Sequence, residues 1–176
     1  MTTFTRLAMV TALLIPVGVV AAEPAGAAAG TSCKTLTGTA TITPGLGATA
    51  KTQTIAGTSA IGGCAGGGVT KGTSKGKNVV PNATCTSMLK VGTKSTITQT
   101  ITWNTGKTST LVGSSVTGPK FGQAKTTLKI TKGAFAGLHA SQTIAFVIAK
   151  GGGSCTDASS PVRKLTVSAV TPLVIK

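Results

Sequence analysis

The chain has 176 residues and a formal charge of +15, from seventeen basic side chains against two acidic ones. The acids are Glu23 and Asp157, and Glu23 falls beside an expected signal cleavage site, so in the exported chain Asp157 alone faces fifteen lysines and Arg163. Most hydrolytic, metal-dependent and acid/base mechanisms draw on carboxylates, often in pairs; the composition excludes most of that repertoire, and neither an enzymatic activity nor a cofactor is expected.

Residues 1–29 read as a secretory signal, cleaved after a residue between 22 and 29. Arg6 supplies the basic start, and Leu7 to Val20 form the apolar stretch, interrupted by Pro16 and Gly18. Val20-Ala21-Ala22 and Ala27-Ala28-Ala29 offer small residues at the cut. An uncleaved anchor would want roughly 20 apolar residues without an internal proline. A lipid anchor at Cys33 is disfavoured because Gly30 stands where an apolar residue belongs. The remainder, 30–176, reads as a single domain large enough to bury a core. It is expected outside the cell or at its envelope, with no membrane span once the signal is gone. Tyrosine is absent and only Trp103, Phe121, Phe135 and Phe146 remain as aromatics, so the core must come from Val, Ile, Leu and Ala.

In chain order the first element is Thr35, Thr37, Thr39, Thr41 and Thr43, a period-2 alternation of β-branched residues that predicts a strand with one polar face. Pro44-Gly45-Leu46-Gly47 predicts a turn, and a second strand-like run follows over 49–61. Cys33 and Cys64 lie about equally far from that turn, as two ends of one hairpin would. Four cysteines in an exported chain point to two disulfides; the expected pairs are Cys33–Cys64 and, by elimination, Cys85–Cys155. A zinc site is disfavoured, since no two cysteines are close in sequence and His139 is the only histidine. Residues 62–78, dominated by Gly and Lys, read as a flexible basic loop that cannot bury enough apolar surface to offset chain entropy. Asn82-Ala83-Thr84 fits a glycosylation sequon, a pattern common by chance.

Further strands are expected at 94–104, 107–117, 124–131, 140–149 and 162–170, separated by Asn104-Thr105-Gly106, Gly118-Pro119, Lys132-Gly133 and Gly151-Gly152-Gly153. Trp103 shares a strand face with Ile101 and Ile97, which marks it as a core aromatic near a disulfide rather than a ligand platform. Gly106-Lys107-Thr108 resembles the end of a phosphate-binding loop, but Ile101 stands where that motif needs glycine, and strands flank it on both sides. The glycines and lysines of 72–78 are a second near-miss. His139 and Asp157 supply two members of a serine-type relay without its nucleophile elbow; Asp157 is better placed to cap a turn over 156–161 or to pair with Arg163 or Lys164. No helix is expected beyond the signal. The whole predicts an all-β antiparallel domain, an immunoglobulin-like sandwich or a barrel, stapled by two disulfides. Export, size and disulfides favour the sandwich.

The lysines are spread along the chain. They can blunt sheet edges and keep a threonine-rich protein soluble, or draw it to a polyanion such as cell-wall polymer, anionic lipid or extracellular nucleic acid. Candidates for such contact are Lys71, Lys75, Lys77, Lys125, Lys129 and Lys132. Base-specific nucleic-acid binding is not expected with one arginine and four aromatics left. The leading expectation is a secreted binding protein for anionic polymer. The alternative is a structural or protein-interaction module whose charge serves solubility.

The order Cys33, Gly38-Thr39, Pro44-Gly45-Leu46, Cys64, Cys85, the hairpin Ile101-Thr102-Trp103-Asn104-Thr105-Gly106-Lys107-Thr108-Ser109, then Gly133-Ala134-Phe135-Ala136-Gly137 and Cys155, resembles small secreted proteins of unknown function common in actinobacteria. The resemblance covers nearly all of the exported chain and implies a four-cysteine, Thr/Gly-rich, exported β-domain. It carries over no catalytic residue and no ligand.

Overall fold

The computed structural model describes residues 29–120, 122–157 and 159–176. The expected signal segment lies outside them, save Ala29, as does Phe121. Among the described residues nine strands form one sheet: β1 (Thr31–Leu46), β2 (Lys51–Ala65), β3 (Gly72–Ala83), β4 (Lys94–Trp103), β5 (Thr108–Thr117), β6 (Gln123–Gly133), β7 (His139–Ile148), β8 (Val162–Ala169) and β9 (Leu173–Ile175). Every pairing is antiparallel, and each of the first eight strands lies beside its neighbour in sequence. β1 pairs with both β2 and β8, which closes the sheet into an eight-stranded barrel. Of the two arrangements expected, the chain therefore adopts the barrel. Each barrel strand after β1 lies beside its predecessor, whereas a sandwich needs connections that cross between two sheets.

β9 continues the line of β8 along β1: Ser168 pairs with Thr37, and Leu173 with Cys33. Pro172 falls in the interruption and has no N–H for the ladder. The break is tied to β7, where Thr143 accepts from the amides of Val170 and Thr171 and donates its own amide to the Thr171 hydroxyl.

The alternation read from the sequence sets the two faces. On β1, Leu36, Ala40 and Ile42 are buried, and Thr35, Thr37, Thr39, Thr41 and Thr43 are exposed. Outward threonines and lysines are the reverse of the apolar band that a membrane-spanning barrel presents to lipid. Two apolar clusters fill the barrel ends. One gathers Leu36, Ile101, Trp103, Leu111, Ile130, Phe135 and Ile175 around Cys33; the other gathers Ile42, Leu46, Val80, Val162 and Leu165 around Cys85.

Both expected disulfides are present. Cys33 and Cys64 are register partners across the β1–β2 hairpin. Cys85–Cys155 ties a short helix to the β7–β8 connection at the opposite end. That helix, α1 (Cys85–Leu89), was not expected; five residues are too few to show a helical period. Its start is fixed by a capping box: Thr84 Oγ1 accepts from the Ser87 amide at 3.0 Å, and Ser87 Oγ accepts from the Thr84 amide at 2.8 Å. Thr84 of the sequon thus has a structural use.

The flexible loop expected over 62–78 is a correction. Residues 62–65 end β2, 72–78 belong to β3, and only 66–71 connect them. The expectation weighed side-chain burial alone. β3 pairs with β2 on one side and β4 on the other, so its backbone amides and carbonyls are held regardless of side-chain size.

Candidate binding surfaces: the basic outer wall and the barrel interior

All fifteen lysines and Arg163 are exposed. Lys75 and Lys77 project from β3, with Thr58, Ala56, Thr100 and Thr98 as lateral partners. Lys125 and Lys129 project from β6, flanked by Val116, Thr143, Val112 and His139. Lys71 lies in the β2–β3 connection, and Lys132 near the end of β6. β3 and β6 are three strands apart in a ring of eight, so the six candidates divide between two walls. The remaining lysines are distributed over both barrel ends, and the positive charge surrounds the barrel.

The single described carboxylate is committed locally. Asp157 Oδ1 accepts from the Ser159 hydroxyl at 2.7 Å and the Ser159 amide at 2.8 Å. These bonds, the hydroxyl's first, hold its carboxyl below the ordinary value. Of the two local roles expected, it fills the turn cap. His139 begins β7, where its backbone exchanges hydrogen bonds with Lys176. Asp157 lies in the connection beyond the other end of β7, so on the order of 30 Å of strand separates the two ends. The structure does not bring them together as a relay. All four cysteines are in disulfides, so none offers a thiolate to zinc.

Trp103 is a core residue. Its ring meets Phe135 edge-on, with centroids 5.5 Å apart, and its Nε1 donates to Ser109 Oγ at 2.8 Å. Ser109 Oγ in turn donates to the Ala134 carbonyl at 2.6 Å. Phe135 has φ +63°, a left-handed conformation that costs a non-glycine residue roughly 1–2 kcal/mol. The flanking Gly133 and Gly137, at φ +84° and +90°, make the reversal that lays the Phe135 ring on Trp103. This explains the Gly-x-Phe-x-Gly segment: it is a plug for one barrel end. Gly106, at φ +77°, turns the β4–β5 hairpin, and no phosphate-binding helix follows it.

Between the two apolar ends the barrel is not filled. A cavity of about 170 Å³ lies there, lined by inward residues of all eight barrel strands and by Met88 of α1. Its β2–β3 side is built from Gly57, Ser59, Ser74 and Gly76, with Gly57 opposite Gly76 and Ser59 opposite Ser74. Large side chains there would fill the lumen; these leave room. Asn78, Ser95, Gln99, Ile97, Ile144 and Phe146 point inward yet are only half-buried, because the surface they retain faces this cavity. Some of the polar lining is satisfied within the wall. Asn78 Nδ2 donates to Ser95 Oγ at 2.9 Å, Gln99 Nε2 donates to Ser74 Oγ, and Thr126 Oγ1 donates to the Gln142 carbonyl at 3.2 Å. Asn78 Oδ1 and Gln142 Oε1 are buried without a partner. Among the described residues no Asp, Glu or His lines the space, and the one cationic neighbour, Lys77, belongs to the outward set.

Sequence reasoning missed this cavity. A signal was present: Gly57, Ser59, Ser74 and Gly76 occupy inward positions of paired strands. The register that reveals it needs β3, whose first part, 72–78, falls within the expected loop. No family model matches the chain, and no curated protein matches it.

Proposed function

We propose that this chain is a secreted, non-enzymatic binding protein, held at anionic polymer of the cell envelope or its surroundings by the positive outer wall of the barrel. The observation that carries the reading is the exposure of all sixteen cationic side chains among the described residues, against one locally committed side-chain carboxylate there. Two bland explanations for the lysines lose force. Barrel closure removes the free edges that lysines would otherwise guard. Solubility of a small domain asks for a net charge of about 2–8, and this chain carries +15. Distribution around the whole circumference suits a flexible polymer that wraps or slides, rather than a discrete ligand. Disulfides are in keeping with an extracellular setting. Among the described residues no helix is long and apolar enough to cross a membrane.

The test is retention of the mature chain on polyphosphate-coated beads, with uncharged beads alongside, from 50 mM to 500 mM salt. Binding to polyphosphate that collapses over this range is the expected result, because the screening length shrinks as salt rises. Retention that ignores salt, or equals that on uncharged beads, contradicts it. One observation favours the alternative, a protein-interaction module with charge for solubility: the six lysines singled out do not form one patch. Salt-insensitive capture of one defined protein would decide for it.

A further inference from the structure

We infer that the barrel interior is a binding site for one small apolar molecule, the size of a single aromatic ring, without charge and without hydrogen-bonding groups. The size follows from the volume. About 170 Å³ is close to the roughly 150 Å³ of an apolar protein cavity that admits benzene, so the occupant has about six to eight heavy atoms. A barrel of this strand number encloses an interior that side chains can just fill or that one small ligand can occupy.

The chemistry follows from the surface that the walls present. Ile55, Met88, Ile97, Ile144, Phe146 and Val167 line the space and are only half-buried. An inward side chain in that condition keeps its remaining surface toward the lumen, so the lining is mainly carbon. Most of the polar side chains in the lining are turned to other groups of the wall. Ser95 Oγ accepts from Asn78, Ser74 Oγ accepts from Gln99, and Thr126 Oγ1 donates to the Gln142 carbonyl. The Thr93 and Thr117 hydroxyls donate to the Ser87 and Met88 carbonyls of α1. The unpartnered oxygens of Asn78 and Gln142 are enclosed within the wall and present no surface to the space. Water needs about two to four polar partners to stay in such a place, and a wall that joins its polar groups to one another suits a carbon ring better.

The sequence keeps this space open where nothing in the wall demands it. Gly76 lines the cavity on β3, in an unbroken ladder opposite Gly57 and Gln99. A Cβ there meets no atom closer than 3.7 Å, and its φ is not in the left-handed region. Neither crowding nor backbone geometry therefore requires glycine. Glycine inside a strand weakens it, and where there is no bulge it marks a place that another group approaches closely; the lumen is the space Gly76 faces. Charge excludes the other classes. Among the described residues no Asp, Glu or His lines the cavity and Lys77 points outward, so an ion would lose its hydration and find no partner. The outer wall and the interior thus recognise different chemistry, and this site does not depend on the polymer reading.

Gly76 also supplies the decisive variant, since a larger side chain there grows into the cavity without displacing backbone. The probes are toluene and phenol, which share a ring and a heavy-atom count and differ by one hydroxyl. Both are titrated into the mature protein by NMR or calorimetry. Toluene should bind at least about tenfold more tightly than phenol, because the hydroxyl would leave water for a wall without a free partner. Nuclear Overhauser contacts from the toluene ring should reach the methyls of Ile97 and Ile144. Gly76→Val should abolish toluene binding without lowering thermal stability. Gly76→Ala, the smaller step, should weaken it about threefold or more, and it carries the test if the valine variant does not fold. If toluene does not bind the parent protein, the inference falls. Phenol binding as tight as toluene, ring contacts outside the lumen, or toluene binding unchanged in a folded Gly76 variant also overturns it.

Discussion

Replacing Ser109 by alanine isolates the one polar arrangement inside the Trp103 end of the barrel. Ser109 is fully buried and Trp103 is 2% exposed. The serine hydroxyl accepts a hydrogen bond from the indole N–H and donates its own to the Ala134 carbonyl. Ser109→Ala therefore orphans a buried donor, at roughly 1–3 kcal/mol, and weakens a half-buried carbonyl that water can partly serve. The expected loss is about 2–3 kcal/mol, and a shift of about 5–10 °C in the midpoint of thermal unfolding for a chain of this length. Trp103→Phe removes the indole N–H itself, so Ser109→Ala in that background should cost about 1 kcal/mol or less. A double-mutant cycle reads the difference as a coupling of about 1–2 kcal/mol. Urea unfolding followed by circular dichroism serves all four proteins. Fluorescence of Trp103, the single tryptophan, adds an independent probe in the two that keep it. A loss below 0.5 kcal/mol, or the same loss in both backgrounds, would refute the account of this end of the core.

Three further outcomes follow from the packing. Gly113→Ala should cost about 2–3 kcal/mol or prevent folding, because its Cβ would overlap the Thr127 carbonyl oxygen, whereas Gly76→Ala should stay within about 1 kcal/mol; urea denaturation compares them directly. Gln53→Leu should cost about 2–4 kcal/mol by the same assay, since the fully buried Gln53 both accepts from the Gly45 amide and donates to its carbonyl, and leucine serves neither. Replacing Cys85 and Cys155 together by serine should cost about 4 kcal/mol, the loop-closure value for residues 70 apart in sequence. A loss under 1 kcal/mol would mean that the unfolded chain is already constrained there.

Strands whose side chains alternate openly were legible in the sequence, and those whose inward positions are glycine or serine were not. The threonines of β1 announced a polar face, and Ile97, Ile101 and Trp103 announced the opposite face of β4. β3 carries Gly72, Ser74, Gly76 and Asn78 inward, so its apolar signal is nearly absent until Val80, and composition argued for a loop. β9 was invisible for another reason: three residues beyond Pro172 are too few to show a period, and only pairing with β1 and β7 defines them. The choice between barrel and sandwich rests on whether β1 pairs with β8, a contact between distant parts of the chain that no local pattern encodes. The disulfide pairing was legible because one pair spans a single hairpin. The cavity required the register of all eight barrel strands. The outward lysines were legible one by one, but their division between walls was not.

That division also gives the most direct test of the functional account. Two variants, Lys75→Gln with Lys77→Gln on β3, and Lys125→Gln with Lys129→Gln on β6, each remove two charges from a different wall. Their affinities for polyphosphate are compared with the parent across a salt series. Diffuse attraction predicts similar weakening by either pair, a further loss on combining them, and a shallower salt dependence each time. Loss confined to one wall would mean a discrete site, and affinity unchanged by all four substitutions would contradict charge-driven binding altogether.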